Sequence, residues 1–144
     1  MPVFDLATTE LRALNQALHA LDKSGANEDF EVTNPRGSHA VAVGIDAPVN
    51  VTIDGSVGYY CAGMNEQATI TVKGNAGPGV AENMMSGKVV IKGDASQYAG
   101  ATAHGGLLVI EGNASSRCGI SMKGVDIVVK GNIGHMSAFM AQSG

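Results

Sequence analysis

The chain contains no tryptophan and only three tyrosines and three phenylalanines in 144 residues. Aromatic rings normally supply much of the filling of a globular centre, so this interior must be built differently. Basic residues are also scarce. Nine Lys and Arg against thirteen Asp and Glu give a net charge of -4, which excludes the cationic footprint that nucleic acid or an anionic membrane requires. No apolar run approaches the roughly 20 residues of a membrane span, and MPVFDLATTE lacks the positive start of a signal peptide. These absences predict a single soluble, cytoplasmic protein.

What is abundant is glycine, with 20 residues. Gly55, Gly74, Gly93, Gly112 and Gly131 recur at a constant interval of 19, and a fixed period is the signature of a solenoid. Ahead of each lies a short alternating run, such as Val89-Val90-Ile91 or Leu108-Val109-Ile110, the period-two pattern of a half-buried strand. The first and third residues of each run are expected to face inward.

The positions two after each Gly (Val57, Ala76, Ala95, Ala114, Ile133) are apolar, and those seven after it (Ala62, Ala81, Gly100, Gly119, Ala138) are uniformly small. Aliphatic and small side chains would therefore stack coil on coil at about 4.8 Å. A period of 19 is not a multiple of six, which argues against the left-handed hexapeptide helix. The expected fold is all-β: a right-handed parallel β-helix with one N-terminal amphipathic α-helix.

Each repeating Gly is followed by Ser56, Asn75, Asp94, Asn113 or Asn132. This predicts a corner with positive φ at the Gly, which glycine tolerates, and a side-chain ladder along the column. Five identical turns are corners rather than a phosphate cradle, which needs one Gly-rich turn between a strand and a helix.

Upstream, Leu11, Leu14, Leu18 and Leu21 are spaced by three and four. They predict a helix over 8–24, with Thr8 or Thr9 as N-cap and Gly25 at its end. SGANEDFEVTNPRGSH, broken by Pro35 and Gly37, reads as a linker. The division expected is 1–40, helix and linker, and 41–144, the β-helix domain.

The columns offer little chemistry. Cys61 and Cys118 are 57 residues apart, three coils or about 14 Å, which is too far for a disulfide. They read as buried thiols. His19, His39, His104 and His135 fall on a helix, a linker and two columns and do not converge. A general base at His104 has no carboxylate predictably beside it.

The column Asp54, Lys73, Lys92, Glu111, Lys130 reads as a solvated face of mixed sign. The remaining acids are scattered over several columns, unlike the clustered carboxylates of a β-helix polysaccharide enzyme. No catalytic, cofactor-binding or metal-ligating residue is assigned. One outward column runs Thr52, Thr71, Val90, Val109, Val128, an apolar stripe that calls for a cover: the chain's own helix or a partner protein. Counting from Gly131, the chain stops at Gly144 just before a further strand is due, which predicts an uncapped last coil and no comfortable monomer.

Gly93-Asp94-Ala95, Tyr98, Gly100 and Gly105-Gly106 resemble, in the spacing G-D-A-x-x-Y-x-G-x4-G-G, the GXGXG β-helix domain at the C-terminus of the glutamate synthase large subunit. The resemblance covers about residues 40–144. The same domain is similar to the corresponding β-helix chains of formylmethanofuran dehydrogenase and of the formyltransferase/hydrolase complex. FDLATTELRALNQALHAL is similar to the start of the separate-chain version, the middle subunit of N-methylglutamate synthase and its glutamate synthase-like relatives.

The resemblance implies a non-catalytic structural subunit joining an amidotransferase-like subunit and an FMN-binding synthase subunit in a hetero-oligomer. FMN and an iron-sulfur cluster would lie in a partner and no cofactor in this chain. The complex would convert glutamate and methylamine to N-methylglutamate and ammonia, or perform the glutamate synthase reaction. The alternative it implies is a structural chain of a formyl-transferring C1 complex, formylmethanofuran dehydrogenase or the formyltransferase/hydrolase complex.

Overall fold

The structure, a computed structural model, describes residues 3–20, 28–134, 137–138 and 141. Leu21, Gly25, His135 and Gly144 lie outside the described residues. The alternating runs form strands that stack as one seven-stranded parallel sheet in chain order. Its strands are β1 (Val3–Asp5), β2 (Asp29–Thr33), β3 (Asn50–Asp54), β4 (Thr69–Val72), β5 (Lys88–Ile91), β6 (Leu107–Ile110) and β7 (Asp126–Val129). From β3 to β7 the register advances by 19 at each step, with Val51 beside Ile70, Ile70 beside Val89, Val89 beside Leu108 and Leu108 beside Ile127. The chain is therefore a parallel β-solenoid with 19-residue coils.

The inward positions behave as expected. Val51, Ile53, Ile70, Val72, Val89, Ile91, Leu108 and Ile110 are buried in one continuous core. Ile127 and Val129 in β7, the edge strand of the sheet, are only partly buried. The same end effect leaves Ile133 58% exposed although Val57, Ala76, Ala95 and Ala114 in its column are buried.

Three expectations are corrected. The stretch read as a linker contains β2, which pairs with both β1 and β3, so the sheet begins well before residue 41. Phe30 and Val32 are buried in the core, but the 21-residue step from Asp29 to Asn50 falls outside the period of 19 and hides the strand among polar neighbours.

The helix is α1 (Leu11–His19), placed in the connection between β1 and β2 rather than before the sheet. Its N-cap is Glu10, without a side-chain cap bond. Thr8 instead donates its hydroxyl to the Asp5 carbonyl at 3.3 Å, because Asp5 organises a turn that takes the Ala7, Thr8 and Thr9 amides.

The third correction concerns the repeating glycines. Of the five, only Gly55 has positive φ. The others are required for space: a Cβ on Gly93 would run into Asn75 Oδ1 and stand 2.9 Å from Gly74 O. The expected ladder is real but differs in kind. Ser56 Oγ, Asn75 Oδ1, Asp94 Oδ1 and Asn113 Oδ1 each accept the backbone N–H of the residue one coil on, at 2.8 to 3.0 Å.

Positive φ falls instead on the opposite arc of each coil, at alternating residues such as Tyr60, Ala62 and Met64, with Ala81 and Asn83 one coil later. Their amides bond to the coils on either side, Tyr60 to Pro78 O, Ala62 to Val41 O and Met64 to Glu82 O. That bonding holds non-glycine residues in a left-handed conformation which isolated residues avoid. The column of small residues follows instead from the narrow interior: a Cβ on Gly100 would stand 2.7 Å from Ile127 Cδ1.

Candidate interaction surfaces

The helix lies at the starting end of the solenoid. Leu14 and Leu18 are buried in the core, while Asn15 uses both ends of its amide: Nδ2 donates to Ala40 O at 2.9 Å and Oδ1 accepts the Ala42 N–H at 3.0 Å. In later coils the equivalent amides of Ala62, Ala81, Gly100 and Gly119 donate to carbonyls of the preceding coil. Asn15 therefore supplies the acceptor that a preceding coil would have supplied. His19 adds a 2.7 Å contact from Nε2 to Val43 O.

Because α1 is tied to residues 40–43, it does not lie across the apolar stripe, and the self-cover reading is not realised among the described residues. Thr52, Thr71, Val90 and Val109 are partly buried, and Val128 is 46% exposed. The stripe is the outer face of β3–β7.

The two cysteines share a column, as expected, and are free and buried. Burial pushes the Cys61 thiol up to about 12 and raises that of Cys118. At pH 8 a pKa of about 12 leaves only about one Cys61 in ten thousand as the reactive thiolate. A disulfide-exchange reagent is therefore expected to titrate no more than trace thiol in the folded chain and both cysteines after denaturation. Rapid colour release from the native chain would contradict this burial.

The charged column is solvated, with one ion pair among the described residues, Lys92 Nζ to Glu111 Oε2 at 2.9 Å. The hydrogen bond from Lys92 is what chiefly lowers the Glu111 pKa, and so exposed a pair adds little stability. His104 is exposed. Among the described residues no three His, Cys, Asp or Glu side chains gather as a metal site, and no helix is long and apolar enough to cross a membrane.

His39 has a role that spacing did not suggest. Its ring stacks on Tyr59, centroids 3.8 Å apart, and its Nδ1 accepts the Tyr59 N–H at 2.9 Å. Tyr59 borders a surface groove of about 450 Å³ together with Tyr60, Tyr98, Pro78, Gly79 and Glu82. Burial raises the Glu82 pKa. Tyr59 and Tyr60 lie one coil before Gly79, and Tyr98 one coil after it. The sequence signal for the groove is the scarcity of tyrosine combined with this placement on either side of the Gly79 coil.

Over 66 residues, 46% of its length, the chain is 74% identical to Protein GlxC of Rhizobium meliloti (strain 1021), and the matched segment is 29% of that protein. The chain thus spans less than a third of the length of this relative. No family model matches the chain, and no solved structure matches it.

Proposed function

We propose that the chain is a structural subunit of a glutamate synthase-type complex, and specifically of N-methylglutamate synthase. In this reading it joins an amidotransferase-like subunit to an FMN-binding synthase subunit and carries no catalytic side chain itself. The observation that carries the reading is the repeat. The spacing from Gly93 through Tyr98 to Gly106 that resembles the GXGXG domain lies in a solenoid whose coils advance in strict 19-residue register. The 74% identity to Protein GlxC supports a role shared with that protein.

The outer stripe of Val90, Val109 and Val128 is the docking face in this proposal. A continuous row of β-branched side chains on a rigid sheet suits the apolar centre of an interface. The test is co-expression with an amidotransferase-like and an FMN-binding synthase chain from the same organism. The three chains are expected to co-elute, and the assembled complex to form N-methylglutamate from glutamate and methylamine. Val109→Lys is expected to weaken co-elution about tenfold or more by placing a charge in an apolar contact, with the far-UV strand signal retained. Elution of this chain alone, or full activity of the other two chains without it, would overturn the proposal.

A further inference from the structure

We infer that the tyrosine groove binds a small organic ammonium ion. All three tyrosines of the chain border this one groove. The left-handed arc places Tyr60, Gly79 and Tyr98 at corresponding positions of three successive coils, each donating its N–H to the coil that follows. Tyr60 and Tyr98 are thus two strand spacings apart, about 10 Å, with Gly79 between them. A group resting over Gly79 therefore lies between the coils that carry the two tyrosines, one strand spacing from each.

Gly79 is the floor of the slot. A carbon placed where its Cβ would be lies 2.9 Å from Glu82 Oε2 and 3.7 Å from Tyr60 Cδ1, so the carboxylate and the ring converge on one point that a side chain would otherwise fill. Among the described residues the Glu82 carboxylate has no hydrogen bond or ion pair. Its burial without a partner disfavours the charged form, and an incoming cation would relieve that. One carboxylate is too few hard oxygens for Ca²⁺ or Mg²⁺, whereas aromatic walls with one anionic group match an alkylated ammonium.

The walls are held in place. His39 stacks on Tyr59, the Tyr60 hydroxyl accepts from Asn83 Nδ2 at 3.4 Å, and Asn83 Oδ1 in turn accepts from the Thr102 hydroxyl. The Arg117 guanidinium lies 5.5 Å from the centroid of the Tyr98 ring. This opposes a second cation, and it makes the Glu82 charge necessary for binding. Cation binding in the groove does not depend on the role proposed for the chain in a complex.

The test uses the full chain with choline as probe, followed by calorimetry and by the proton spectrum of the tyrosine rings. Saturable binding with shifts at the tyrosine rings is expected. The neutral carbon isostere of choline is expected to bind about fivefold or more weakly, and Glu82→Gln and Tyr98→Leu each to weaken choline by a similar factor, with Tyr98→Phe restoring it. Far-UV circular dichroism verifies that each variant is folded, and Glu82→Gln and Tyr98→Phe preserve size should Tyr98→Leu not fold. Equal binding of the neutral isostere, indifference to Glu82→Gln, or no binding at millimolar choline would overturn the inference. So would binding of a lysine side-chain analogue in preference to choline, which would assign the groove to a partner protein.

Discussion

Gly112→Ala is expected to destabilise the solenoid by about 3 kcal/mol, whereas Gly37→Ala costs about 1 kcal/mol. At Gly112 a methyl group would collide with Asp94 Oδ1 and stand 2.7 Å from Gly93 O and 2.9 Å from Gly93 C. Two of these atoms are backbone and cannot swing aside. Relief requires separating the coils, which stretches the 2.8 Å bond from Asn113 N to Asp94 Oδ1 and the 3.0 Å bond from Gly112 N to Gly93 O. Gly37 has φ +73° but nothing within 4 Å of its missing Cβ, so only backbone strain opposes alanine. Chemical denaturation of both variants reads the difference. Equal losses would mean that the coils part locally to admit a methyl group at little cost, against a close-packing role for the column.

Asn15→Ala is expected to cost about 2 to 4 kcal/mol, because the buried Ala42 N–H loses its acceptor at about 1 to 3 kcal/mol and the only partly buried Ala40 carbonyl loses its donor at the lower end of that range. Ala42 is fully buried, so its N–H has little access to water in compensation. Asn15→Asp should recover about half, since a carboxylate can still accept the Ala42 N–H but cannot donate to Ala40 O. Hydrogen exchange at the Ala42 amide is the direct reading: it should accelerate strongly in Asn15→Ala and much less in Asn15→Asp. An unchanged rate in the alanine variant would mean that Leu14 and Leu18 alone hold the helix end in place.

The coils were legible because every one of them must satisfy the same geometry. The equal spacing of Gly55 to Gly131 and the alternation of Val89, Val90 and Ile91 report stacking directly, and the inward residues follow from it. β2 was not legible, because its step of 21 residues breaks the period and Phe30 and Val32 are only two apolar positions among Glu28, Asp29, Glu31 and Thr33. The groove was half legible. Tyr59 and Tyr60 stand two coils before Tyr98, on either side of the Gly79 coil, by simple counting, but nothing in their identities announces a left-handed backbone at Tyr60 and Tyr98.

By itself, then, the amino-acid order determined a parallel stack of 19-residue coils, its aliphatic interior, its exposed charged column and the separation of its two cysteines. All of these are one-dimensional consequences of a repeat in which each residue meets its own equivalent. The tertiary structure alone decided where the irregular pieces go. It put α1 inside the first connection, made the Asn15 amide the substitute for a missing coil, and stacked His39 on Tyr59. It also held alternating residues of each arc at positive φ, because hydrogen bonds to the coils on both sides outweigh the local preference of each residue. Those pieces depend on contacts between segments that share no period, and a period is what the bare sequence makes visible.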